Sequence, residues 1–72
     1  MAERFGEKHI IVNRRLHSGE VTRVLLPLVG MVVHDLKGQI CPCQITYICS
    51  DTDEYFNVMD TFAEIITVLK EQ

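Results

Sequence analysis

Three cysteines, three histidines and a small group of arginines carry whatever chemistry this chain can offer. Cys41-Pro42-Cys43 is followed six residues on by Cys49. Zinc takes four thiolate or imidazole ligands in a tetrahedron, commonly from a knuckle of two cysteines separated by about two to four residues plus a second pair. A Cys-x-Cys spacing is tighter than that knuckle, and a fourth ligand would have to come from His9, His17 or His34. On one strand, Cys41, Cys43 and Cys49 share a face with Ile45 and Tyr47, because alternate residues point the same way. Free cysteine is also among the most buried residue types. The expectation is three buried thiols, with neither zinc nor any other cofactor. The histidines stand eight and seventeen residues apart and share no motif. No spacing sets a nucleophile beside a base and an orienting group, so no catalytic residue is assigned and no enzymatic activity is expected.

The arginines give a different chemistry. Residues 1–36 hold five basic and four acidic side chains; residues 37–72 hold two basic and six acidic. A hairpin between residues 9 and 26 brings Arg14 or Arg15 near Arg23, with His17 at its turn. Guanidinium forks match phosphate and carboxylate oxygens. Arg14, Arg15, Arg23 and His17 are therefore the candidate anion site, and a nucleotide signal is one ligand of suitable size. A duplex nucleic-acid binder carries a domain-wide basic field, and a net charge of −3 argues against one here. The acids Asp51, Asp53, Glu54 and Asp60 could instead steer the chain toward basic partners.

Positioning these residues falls to a short chain. Seventy-two residues allow one domain, and a domain this small buries only about 60% of its unfolded surface. No apolar run reaches the roughly 20 residues a membrane span needs, and residues 1–8 do not resemble a secretory signal. A reduced, cytoplasmic setting is expected, in which an odd number of cysteines needs no pairing. Residues 24–33 are apolar at both strand faces, where a half-exposed strand would alternate. Large exposed apolar patches mark interaction surfaces. Leu25, Leu28, Met31 and Val33 are thus expected to contact another chain, most simply a second copy.

Punctuation by glycine, proline and aspartate divides the chain. A loose arm is expected over residues 1–7. Strands are expected over 9–16, 21–26, 29–35, 40–49 and 54–59, with turns at 17–20, 36–39 and 50–53. Pro27 should end pairing or force a bulge, and Pro42 should confine the first part of its strand to an edge. Phe62, Ile65, Ile66 and Leu69 then repeat at helical spacing. Thr61 with Glu64 fits a capping box, and Asp60 adds charge that favours the helix dipole. The fold predicted is mainly β (α+β): a five-stranded antiparallel small barrel over 8–72, capped by one C-terminal helix at 61–71.

This layout resembles the SH3-like barrels. The tail Tyr55-Phe56-Asn57-Val58-Met59-Asp60-Thr61-Phe62-Ala63-Glu64-Ile65-Ile66 resembles the strand and capped helix that end the FlbD-type flagellar proteins, an ending that also occurs in short phage and bacterial open reading frames. Residues 10–28 fit the same plan. Asp53-Glu54-Tyr55-Phe56-Asn57-Val58 is similar to a strand of the Sm-like RNA-binding barrels, which carry their helix at the other end of the chain. The resemblance implies a regulator, adaptor or inhibitor that acts by occluding a partner protein. The second expectation is an oligomeric binder of a small anion; the third is an RNA-binding barrel.

Overall fold

The computed structural model describes residues 1–38, 40–48 and 54–70. Its elements are β1 (Glu3–Phe5), β2 (His9–Arg15), β3 (Val21–Pro27), β4 (Met31–Asp35), β5 (Cys43–Tyr47), β6 (Phe56–Val58) and α1 (Phe62–Lys70). All pairings are antiparallel, and the sheet curls into a half-barrel with the helix against it. The predicted class is the one observed, with six strands in place of five. Cys49, the turn at 50–53 and the last residue of the expected helix lie outside the described residues, as does Gln39 of the second turn.

β2 organises the sheet. One of its edges pairs along its whole length with β3, from His9 opposite Pro27 to Arg15 opposite Val21. Gly19, at φ 91°, supplies the left-handed residue of the tight connection. The other edge is divided. Residues 9–11 of β2 pair with β1, whereas Arg14 and Arg15 pair with Val58 and Asn57 of β6. The arm expected to be loose is therefore a strand. Its alternation sets Glu3 and Phe5 outward, and Ala2 is buried in the core.

Pro27 corrects a second expectation. Leu16 N–H donates to the Glu20 carbonyl and Leu28 N–H to the Lys8 carbonyl. Antiparallel bonding alternates, so Thr22, Val24 and Leu26 bond to β2, while Val21, Arg23, Leu25 and Pro27 face the opposite edge. The missing N–H of Pro27 falls on that outer edge, where it interrupts no ladder bond. β3 consequently runs through the proline. Pro42 precedes β5, which begins only at Cys43, and its carbonyl accepts the Leu36 N–H.

The inner face gathers Ile10, Val12, Leu26, Cys43, Ile45 and Val58, with Ile65 and Val68 supplied by the helix. The helix begins as predicted. Thr61 Oγ1 accepts the Glu64 N–H at 3.2 Å. Its buried stripe is Phe62, Ile65, Val68 and Leu69, so Val68 takes the place assigned to Ile66. The helix packs against β1 and β4, spanning the hollow of the curled sheet.

Candidate interaction surface

Strand parity separates the three arginines. Arg14 lies on the inner face in line with Ile10 and Val12, and Arg15 and Arg23 lie on the outer face. The Arg14 guanidinium stacks over the Phe56 ring at 4.6 Å, an attraction between cation and ring quadrupole. Its buried Nε has no hydrogen-bond partner among the described residues. Arg23 bends back across the sheet. It donates to Glu3 Oε2 and Asn13 Oδ1, both at 3.3 Å, and to the Met1 carbonyl at 3.2 Å. His17 stands edge-on to Tyr55, with ring centroids 6.5 Å apart. One copy of the chain therefore does not bring Arg14, Arg15, Arg23 and His17 to a common point.

Cys41 and Cys43 are buried and unpaired, and Cys41 Sγ donates to the Cys43 carbonyl at 3.1 Å. Among the described residues no group of three His, Cys, Asp or Glu side chains stands close enough to share a metal. Burial, followed by the negative charges of Asp35 and then of other neighbours, pushes the Cys43 thiol up from 9.0 to about 11. Burial likewise pushes the Tyr47 hydroxyl from 10.0 to about 12. The folded state thus holds both protons more tightly than the unfolded chain does. Their contribution is complete below about pH 9 and is lost as pH rises through 11 to 12. Thermal unfolding should show a flat melting temperature from pH 7 to 9 and a fall above it. Cys43 should resist iodoacetamide at pH 8 until denaturant is added, because the thiolate is the nucleophile. Labelling of the folded chain at the rate of a free thiol would contradict the burial.

Asp60 is the polar residue that sequence reasoning placed wrongly. It is 3% exposed, so it is no part of an acidic outer face; Asp51 and Asp53 lie outside the described residues. Its carboxylate fills the gap on the divided edge of β2. Asn13 N–H donates to Oδ2 at 2.7 Å and the Asn13 side-chain amide to Oδ1 at 3.1 Å. The Met1 amino group lies 3.4 Å from Oδ1. Met59 N–H donates to the Asn13 carbonyl, completing the backbone half of the exchange. No periodicity marks such a residue, since its partner lies 47 positions away.

Of the expected interface residues, Leu28, Met31 and Val33 pack against the core. They are partly buried, and parity turns Met31 and Val33 inward with Ile45 and Tyr47. Leu25 remains on the outside, 49% exposed. Its outer-face neighbours by register are Ile11 and Glu3, and the next row holds Phe5, His9 and Pro27. Phe5, missed because its segment was read as a loose arm, is 55% exposed. Beyond Pro27 come Val29 at 83% and, across the Ile48–Gly30 backbone bond, Ile48 at 75%. A polar row crosses the rest of the outer face, where Arg15, Asn57, Gln44 and His34 stand opposite one another in register across four strands, with Val21 beside Arg15 and Val32 beside Thr46 as apolar exceptions. Gln44 donates to Asn57 at 3.3 Å. The outside of the sheet is thus richer in apolar side chains at one end and in polar ones at the other.

The chain matches no protein-family model, no curated protein and no solved structure. The likeness to FlbD-type and Sm-like proteins rests on residue pattern alone, and the fold supports the coarser description of a small barrel-like sheet with a terminal helix. No helix among the described residues is long and apolar enough to cross a membrane.

Proposed function

We propose that this protein is a non-catalytic interaction module that binds and occludes a partner protein through the apolar end of its outer face. The observation that carries this reading is the run from Phe5 and Leu25 through Pro27 to Val29 and Ile48. These side chains are exposed in a chain whose inner face is already filled by Ile10, Val12, Ile45, Val58 and Ile65. Apolar surface left outside a filled core is the mark of a docking site. The adjoining polar row and the Glu3–Arg23 pair would form the rim. Arg14 lies on the opposite face from Arg15 and Arg23, and Arg23 is already held by Asn13 and Glu3, which favours protein recognition over capture of a small anion by all three arginines of one copy.

A photoreactive amino acid at Val29, introduced in the protein's own cellular setting, tests the reading. Irradiation should give one discrete adduct with a second protein, and Phe5→Asp combined with Ile48→Asp should abolish it. Adducts made only of further copies of this chain, or no adduct at all, would overturn the proposal.

A further inference from the structure

The described strands leave three edges open: that of β1, only three residues long, and those of β3 and β4, which are consecutive in sequence. They are not equivalent. On β4, Asp35 sits at the strand end and turns its carboxylate to the Lys37 N–H at 2.9 Å. That charge blunts the edge in the usual way. On β3, the backbone groups of Val21, Arg23 and Leu25 point away from β2, and their N–H groups have no partner among the described residues. The strand is seven residues long. It has no lysine and no inward charge. Its one charged side chain, Arg23, is drawn back over β2 and β1 by Asn13 and Glu3, away from the edge it would otherwise guard. Pro27 ends the run of donors, and its carbonyl already accepts the Tyr47 hydroxyl at 2.7 Å.

An edge of this kind calls for another extended backbone, and the strand's own pattern suits a second copy. We infer that two copies of this chain pair antiparallel through β3, about a two-fold axis at Val24, to form one continuous sheet. In this register Arg23 and Leu25 each exchange both backbone bonds with the other residue in the opposite copy, and Val24 stands across from its counterpart. No like charges oppose. Shifting the strands one way sets Arg23 against Arg23, which is unfavourable. Shifting them the other way sets Pro27, with no N–H, against Arg23 next to the centre of the seam, whereas the Val24 register meets Pro27 only at its ends, opposite Val21. Outside the seam, Leu25 of each copy covers the aliphatic stem of the other's Arg23. The pairing is made by backbone groups at the rim of the sheet; of the outer apolar run only Leu25, with Pro27 at the ends of the seam, takes part, and Phe5, Val29 and Ile48 stay free, so the two readings are tested separately.

Sedimentation equilibrium of the full chain should give twice the chain mass. Amide exchange should show Arg23 and Leu25 protected at high protein concentration, with Arg23 exchange faster by about tenfold or more on dilution below the dissociation constant. Leu25→Pro removes a donor that β2 does not use. It should leave the circular dichroism spectrum unchanged, give a monomer and free the Arg23 amide. Should that variant fail to fold, the wild-type exchange data decide alone. Three outcomes overturn the inference: a monomer at millimolar concentration, a dimer with an unprotected Arg23 amide, or Arg23 protection that does not change with concentration.

Discussion

Replacing Asp60 by alanine should lower the free energy of unfolding by about 3 kcal/mol, the largest loss available from any polar residue in the described chain. A hydrogen bond to a charged group contributes roughly 1.5–3 kcal/mol, and a buried donor left unsatisfied adds its own desolvation penalty of about 1–3 kcal/mol. Asp60→Ala removes two acceptors from Asn13 and leaves that residue's backbone N–H facing a void. It also removes negative charge from the entry to α1, a contribution of about 0.3–1 kcal/mol. These terms overlap, so the lower part of their sum is the expectation. A domain of this length has a total stability of only about 4–11 kcal/mol at the usual value per residue. Urea denaturation followed by circular dichroism should therefore show a large fall in midpoint with an unchanged slope. Asp60→Asn should fall between: its carbonyl can still accept from Asn13, but its NH2 group meets the Asn13 side-chain amide donor to donor. A loss below about 0.5 kcal/mol for alanine, the size of an ordinary surface substitution, would show that the carboxylate does not join the sheet.

Ile65→Ala should cost about 3–4 kcal/mol, within the usual range for deleting a fully buried isoleucine side chain. Ile65 is fully buried, on the face of α1 that the sheet receives. A helix of nine residues does not hold itself in water, so its persistence depends on this contact and on that of Val68. The effect should reach beyond the lost methyl groups. Amide protection along residues 62–70 should collapse toward that of a peptide, while the β2–β3 hairpin keeps part of its protection. Loss confined to uniform destabilisation, with α1 as protected as the strands, would show that the helix is held by something other than this side chain.

The helix was legible because its signals are local. Thr61 and Glu64 sit three apart, and the apolar stripe repeats within two turns. The β2–β3 hairpin was legible for the same reason, through Gly19 between two apolar runs. Misreadings came where partners are distant. Glu3-Arg4-Phe5 has the alternation of a strand, but three residues are too few to show it, and only β2 gives them a partner. Pro27 read as a stop because its missing N–H was known while the edge it faced was not. The run at 24–33 read as surplus. Parity and the inward turn of the β3–β4 corner bury Leu26 and pack Leu28, Met31 and Val33 against the core, and leave Leu25 and Val29 outside. The arginine cluster illustrates the same limit: adjacent positions 14 and 15 cannot share a face of a strand, whatever their chemistry.

The divided edge of β2 also bears on how the protein is made. Residues near the beginning of the chain and residues near its end are joined on one strand, with Asp60 between them. During synthesis the β2–β3 hairpin can form as soon as it emerges, but its second edge stays incomplete until Asp60 has left the ribosome. The sheet therefore closes late, and until it closes the β2 edge from Asn13 to Arg15 is open to neighbouring nascent chains. A product lacking the residues beyond 55 would keep the hairpin and lose β6, Asp60 and α1, the parts that complete its second edge and cover its inner face.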